Sequence, residues 1–230
     1  MTRSTSDPCA QLLSLAVHEL RTPANVVGGY LNMLQRESDP PLSDRHRVMV
    51  DEAEKSCARI VALVGELSEI SKLDAGLVTL RREDLDVFDL IADAAGGVRE
   101  ALDRGVHLVM GGDHESARIR GDAARLRAAF ESIFRAVLRE QAGPATVVAD
   151  RRRDTADGCP RAVIVVADDR SVQAARGAAP GVFDEKRAGL GLALPLARRI
   201  IDGHGGRVWS PGPTAAAAVR AAVIIALPIS

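Results

Sequence analysis

In the first third of the chain, apolar positions recur every three or four residues. Val17, Leu20, Ala24, Val27, Leu31 and Leu34 step by three and four in alternation, the spacing that lays one stripe of a helix against a neighbouring helix. The polar run Ser38-Asp39-Pro40-Pro41 interrupts the series, because proline does not continue a helix interior. Ser43 is a candidate N-cap, with His46 rather than glutamate at the position that would complete the reciprocal capping pair. A second stripe follows in Val50, Ala53, Cys57, Ile60, Val64 and Leu67, and Gly76 marks its stop. Two long helices and a short loop predict an antiparallel hairpin. One hairpin cannot bury both stripes, so two hairpins pairing into a four-helix bundle is the expected remedy.

Beyond Gly76 the period changes. Residues 77–80 read as a short strand, 87–102 as a helix, and 106–110 and 117–120 as strands. Residues 122–140 form an amphipathic pattern on Leu126, Ala129, Phe130, Ile133, Phe134 and Val137. Val147-Val148 and 162–167 read as strands, the second continuously apolar and therefore central. The arginine-rich stretch 151–158 reads as a solvated hairpin turn. Gly189 opens a helix running to about Asp202, and Val208 with 221–227 completes the sheet. Helices and strands mixed in this way predict an α+β layered domain. The expected division is an all-α hairpin at 8–76 and an α+β domain at 77–230.

Composition narrows the class. Of the 230 residues 47% are apolar and 27% charged, the balance of a soluble globular chain with a real core. Thirty basic against thirty-one acidic side chains leave a net charge of −1, which gives no bulk attraction to nucleic acid or to an anionic membrane. No apolar run is long enough to span a bilayer, and the first residues lack the layout of a signal peptide. Three scattered cysteines without metal or redox spacing suit a reducing compartment. The chain reads as cytoplasmic, with neither nucleic acid nor membrane as partner.

The sharpest local feature is His18-Glu19-Leu20-Arg21-Thr22-Pro23. With Val17 and Leu20 in the stripe, His18, Glu19 and Thr22 fall on the exposed side, His18 and Thr22 one turn apart. Pro23 inside an otherwise regular helix costs about 3 kcal/mol, so its presence beside the histidine asks for a reason. An imidazole attacks phosphorus when a neighbouring acceptor keeps the attacking nitrogen unprotonated. Glu19 is placed to be that acceptor, and Thr22 to orient a water for the reverse hydrolysis.

These six residues, with Val27, Gly28 and Tyr30 after them, resemble the phosphoacceptor box of the sensor histidine kinases of bacterial two-component systems. The resemblance runs over nearly the whole chain. It implies that His18 is the phosphorylated residue, Glu19 the general base, and Thr22 a participant in dephosphorylating a partner receiver domain. Farther on, Asp122-Ala123-Ala124-Arg125-Leu126-Arg127 resembles the entry to the ATP-binding domain's asparagine-bearing helix. Val166-Ala167-Asp168 resembles the strand whose aspartate reads adenine, and Gly189-Leu190-Gly191-Leu192 the glycine loop at the phosphates. Asp168, Gly189 and Gly191 are thereby the implied nucleotide contacts; His204-Gly205-Gly206 and Leu227-Pro228 also fit.

Three departures fall on one ligand. Ala136 stands where the family has its Mg²⁺-binding asparagine, Ser132 where a second asparagine is common, and Arg170 and Val172 replace glycines after Asp168. The segment between Asp168 and Gly189 is short, with Phe183 as a remnant of the family's phenylalanine box. Alanine supplies no oxygen to an ion that demands octahedral oxygen coordination, so weak ATP binding with little use of Mg²⁺, and no metal-ligating residue, is expected. The resulting expectation is a homodimeric phosphorelay protein that exchanges phosphate between His18 and a receiver aspartate. An ATP-driven kinase, or a pseudokinase that only docks a response regulator, are the other readings. Seventeen residues precede His18, so the input is expected from a separate sensor or kinase, or from a longer chain.

Overall fold

A computed structural model of the chain describes residues 8–37, 41–99, 101–113, 115–156 and 158–229. It divides into two compact units, Met1–Val78 and Thr79–Ser230. Among the described residues no helix is long and apolar enough to cross a membrane.

The first unit is an antiparallel pair of long helices, α1 (Pro8–Glu37) and α2 (Asp44–Asp74). Residues 38–40 of the expected break lie outside the described residues. Ser43 caps α2 by accepting a hydrogen bond from the His46 N–H at 3.3 Å. The helix ends as a glycine stop should: Gly76 adopts φ +66, its N–H donates to the Leu73 carbonyl, and the Leu77 N–H reaches back to Lys72.

Both stripes divide inside this unit. Val17, Ala24, Cys57 and Val64 are 4–9% exposed, and Leu31 and Val50 half-buried. Leu20, Val27, Leu34 and Ile60, the alternate members, remain 46–52% exposed. Cys57 binds the two helices, its thiol donating to the Ala24 carbonyl at 2.9 Å. The rim is tied by Asn32 to Glu54 and Gln35 to Asp51. Each helix thus turns one seven-residue series inward and leaves most of the other uncovered, Leu67 being half-buried.

The second unit runs β1 (Glu83–Asp86), α3 (Val87–Gly97), β2 (Val106–Gly112), β3 (Arg118–Gly121), α4 (Ala123–Arg139), β4 (Ala145–Ala156), β5 (Cys159–Asp168), α5 (Val172–Arg176), β6 (Pro180–Gly181), α6 (Ala193–Gly203), β7 (Arg207–Pro211), α7 (Ala217–Arg220) and β8 (Val223–Pro228). Six strands form one sheet in the order β2-β4-β5-β8-β7-β6, antiparallel except for β2 beside β4. β5 is central, as its unbroken apolar run implies. Its alternate residues serve two cores: Val165 and Ala167 pack with Val172 and Ala175 of α5 and with Ile224, while Ile164 and Val166, fully buried, face the opposite way. The layer of α3, α4 and α6 supplies Ile91, Leu126, Phe130, Phe134 and Leu194, each fully buried.

Several sequence expectations change here. Residues 77–80 form no strand; the strand is β1, whose polar Glu-Asp-Leu-Asp sequence hid its pairing with β3. The helix begun at Val87 stops at Gly97 rather than 102, after two glycines that weaken it. Gly189 does not open a helix: Arg187–Gly189 is a 3₁₀ turn and α6 starts at Ala193. Arg151 is not in a turn. β4 continues to Ala156, and Arg151 is 7% exposed, its guanidinium over the Phe88 ring at 5.7 Å and donating to the Phe88 carbonyl. Asp157 lies outside the described residues.

Candidate functional site

His18, Glu19 and Thr22 come together on one turn of α1, which continues unbroken through Pro23. Val17 points into the hairpin, so the next two side chains point away. His18 and Glu19 are 79% and 71% exposed, with Nδ1 3.6 Å from Glu19 Oε1. The nitrogen and oxygen lie just beyond hydrogen-bond distance, with both side chains facing solvent. Thr22 Oγ1 makes a long 3.5 Å contact to the His18 carbonyl, and its exposed hydroxyl stands one turn along the same face. The arrangement leaves an imidazole and a carboxylate side by side and open to solvent.

In the second unit the candidate residues are spread over four segments. Asp122 is a fully engaged N-cap of α4: it accepts from the Arg125 and Arg81 N–H groups and from the Arg125 guanidinium at 2.8 Å. Burial alone would raise its carboxyl, but these donors outweigh burial and hold it below the ordinary carboxylate range. His204 closes the same corner. Its Nε2 accepts from the Asp122 N–H at 2.9 Å, so its Nδ1 donates to the Ile200 carbonyl at 2.6 Å. Burial pushes this imidazole below its ordinary value, and the Ile200 carbonyl does not overcome that.

Ala136 is 0% exposed, packed into the inner face of α4. It offers no oxygen, and among the described residues no group of acidic, histidine or cysteine side chains is disposed to hold a metal. Ala136 therefore supplies no side-chain ligand to a metal. Ser132 donates to the Ala128 carbonyl and Arg135 pairs with Glu131. Asp168 ends β5 half-buried, accepting from the Arg170 N–H at 3.1 Å in a tight turn while its carbonyl accepts from Ser171. Gly189 and Gly191 adopt φ +63 and +64, with Leu190 between them at φ −81 and ψ 10. Left-handed and right-handed residues in alternation turn successive N–H groups toward one point, a concavity suited to an anion.

One pair escaped the sequence reading. Arg187, 8% exposed, grips the Glu140 carboxylate with two nitrogens and also donates to the Ala221 carbonyl. It ties the segment before the glycines to the end of α4 and the start of β8. Forty-seven positions separate the partners, and no local spacing announces them.

The family profile of the His Kinase A (phospho-acceptor) domain matches residues 10–76. The chain is 31% identical over 92% of its length to the probable sensor histidine kinase TcrY of Mycobacterium tuberculosis, covering 46% of that protein. It is 28% identical over 83% of its length to the sensor protein DivL of Caulobacter vibrioides, covering 25% of it. The chain therefore spans from a quarter to just under half of these relatives. In structure it is similar to full-length ShkA in complex with AMPPNP, with a TM-score of 0.69 and 22% identity over 95% of this chain and 45% of that one. It is also similar to the histidine kinase ThkA solved with the response regulator TrrA, with a TM-score of 0.56 and 15% identity over 96% of this chain and 61% of that one. At such identities the structural likeness concerns the fold.

Proposed function

From a chain that belongs to the two-component sensor histidine kinase family, we propose a phosphorelay protein that carries phosphate on His18 and exchanges it with the aspartate of a response-regulator receiver domain. The observation behind this reading is the exposed His18–Glu19 pair, nitrogen to oxygen 3.6 Å, on a helix whose other side is packed. Glu19 holds the Nδ1 proton; Nε2 attacks the acyl phosphate of the receiver; the P–O bond to the aspartate breaks and leaves a carboxylate. The reverse direction returns the phosphoryl group to the receiver. In the phosphatase direction, Thr22 orients the water that attacks the receiver phosphate and releases inorganic phosphate.

The acting form is a homodimer. Leu20, Val27, Leu34 and Ile60, each about half exposed in one hairpin, are covered when a second hairpin packs against them as a four-helix bundle. The site needs an upstream donor, a sensor or kinase able to phosphorylate the receiver or this chain. The boundary between the phosphoacceptor hairpin and the nucleotide-like domain is placed at residues 76–77.

The test is phosphotransfer from a phosphorylated receiver domain, without ATP. Label is expected on the chain in an acid-labile, base-stable form, and none on His18→Gln. Equal labelling of that variant would place the acceptor elsewhere.

The similarity to a nucleotide-bound kinase and the converging N–H groups at Gly189–Gly191 favour a second reading, an ATP-dependent kinase. Ala136, the turn-bound Asp168 and the inward-folded Arg187 count against it. ATP is expected to bind weakly and with near indifference to Mg²⁺. Calorimetric titration in the presence and absence of Mg²⁺ separates the two readings, since tight binding that requires Mg²⁺ restores the active kinase.

A further inference from the structure

One face of the six-stranded sheet lies under α3, α4 and α6, and the other is covered only in part, by α5 and α7. On that second face the strand register sets Arg152 of β4, Val163 of β5, Ala226 of β8 and Arg207 of β7 side by side in one row. Arg161 stands two residues from Val163 along β5 and therefore points to the same side. Val163 and Trp209 pack at the margin of the core that Val165 and Ala167 share with α5. There the helical cover stops: Arg152 and Arg207 are exposed and Arg161 is half-buried.

Positive charge exceeds negative on this face. Asp150 serves both Arg152, at 3.5 Å, and Arg176 of α5. Asp154, opposite Arg161, turns its Oδ1 to the Thr155 N–H at 2.7 Å. Arg207 lies over the Trp209 ring at 5.6 Å. Among the described residues no carboxylate is paired with Arg161 or Arg207. Arg161 Nε is moreover enclosed without any hydrogen-bond partner. Enclosed donors are nearly always met, so a carboxylate lying against this arginine would satisfy a group that the chain itself leaves unmet.

Spacing selects the ligand. With strands about 4.8 Å apart, Arg152 and Arg207 stand about 14 Å apart across the row, and Arg161 about 7 Å from Val163 along its strand. Guanidiniums on so wide a base match an extended chain with several anionic groups better than one small anion. Between them Val163 and the edge of Trp209 offer apolar surface for an aliphatic side chain. A single-stranded nucleic acid stacks its bases on open aromatic faces, whereas Trp209 is half-buried with Arg207 on its ring. A guanidinium takes a carboxylate through two parallel hydrogen bonds, and that chemistry needs no aromatic platform.

We propose that this face of the sheet docks an acidic segment of a partner protein, with carboxylates on Arg152, Arg161 and Arg207 and an aliphatic side chain over Val163. It uses none of His18, Asp168, Gly189 or Gly191, so it stands apart from phosphotransfer and from the candidate nucleotide residues.

Trp209 is the chain's single tryptophan, so its fluorescence reports on this face directly. The probe is the acetylated and amidated pentapeptide Asp-Glu-Leu-Glu-Asp, titrated into the full chain. A saturable change in Trp209 emission is expected, with an affinity that falls as salt is raised. The double variant Arg152→Gln, Arg161→Gln should bind about tenfold more weakly, having lost two charge-assisted contacts, while its circular dichroism stays that of the parent. The uncharged peptide Asn-Gln-Leu-Gln-Asn should bind the parent chain more weakly still, a comparison that needs no variant to fold. An emission change that never saturates, equal affinity for the two peptides, or unchanged affinity in the double variant would each overturn the proposal. So would tighter binding of hexathymidylate than of the acidic peptide, which would assign the face to nucleic acid.

Discussion

The two units of this chain are incomplete in opposite ways. The hairpin has its chemistry in place, a histidine and its carboxylate exposed on one turn, but its apolar surface is unfinished. Of the thirteen large apolar side chains that stay exposed among the described residues, ten belong to Met1–Val78. The sheet unit is the reverse. Its cores are closed on both faces of β5, and Ala136, where the family resemblance implies a metal ligand, is buried on α4. On the proposed reading, the hairpin works through partners and keeps reactive and apolar groups outside, while the sheet unit completes its own cores. The comparison predicts that substitutions on the hairpin surface change assembly and transfer, and that substitutions in the sheet unit change stability.

The largest effect should come from the uncovered half of the stripes. Replacing Leu20 and Ile60 by glutamate puts four carboxylates into the interface of a two-fold dimer. Each apolar side chain lost there forgoes about 1–2 kcal/mol of burial, before the cost of burying charge is added. Monomers by sedimentation at micromolar concentration are expected, with helicity largely retained. An unaltered dimer would mean that these residues face solvent in the assembly and that the hairpins pair through another surface.

Next comes the buried pair of the sheet unit. Glu140→Ala leaves the Arg187 guanidinium, 94% buried as a side chain, without its carboxylate. Breaking such a pair costs about 3–5 kcal/mol, and partial exposure of Glu140 places the loss near the lower end. Melting should fall by many degrees while the His18 exchange, measured below the new melting point, stays intact. Ala136→Asn should be milder, a loss of about 1–3 kcal/mol from overpacking and an added buried amide. It should not confer Mg²⁺-dependent ATP binding. A stable Ala136→Asn protein that gains such binding would show that the cleft opens and that the sheet unit is dormant rather than closed.

Sequence legibility follows the same division. The hairpin was readable because its information is local: alternating three- and four-residue steps, Ser43 as cap, Gly76 as stop, and a six-residue box all lie within a few turns of one another. What the pattern did not show is that only one of each two stripe positions is buried within a single hairpin. In the sheet unit, strongly apolar segments such as β5 and α4 were equally plain. β1 was missed because four mostly polar residues pair at the unit's edge with β3. Arg151 was misassigned because an arginine reads as solvated, whereas its stem and charge lie on Phe88. Asp168 stands out in the sequence at a strand end, but its hydrogen bond with the Arg170 N–H depends on turn geometry. The Arg187–Glu140 and His204–Asp122 contacts join residues far apart in sequence, and only the fold brings them together.

The smallest predicted effect tests the closed unit at its tightest polar corner. His204 is neutral there, donating from Nδ1 to Ile200 and accepting at Nε2 from the Asp122 N–H. A proton on Nε2 would forfeit the second bond and bring a positive charge toward Arg82 and Arg125, against which only Asp122 is favourable. Burial therefore holds the folded group below its ordinary 6.5, so near that pH the unfolded chain takes up a proton that the folded chain refuses. Stability should fall as pH drops through that range and level off once the folded imidazole also titrates. His204→Gln keeps an acceptor for Asp122 and a donor for Ile200 but does not titrate, so its melting temperature should change less between pH 7.5 and 5.5 than that of the parent chain. The same pH slope in both proteins would assign the proton uptake to another group and remove His204 from the account.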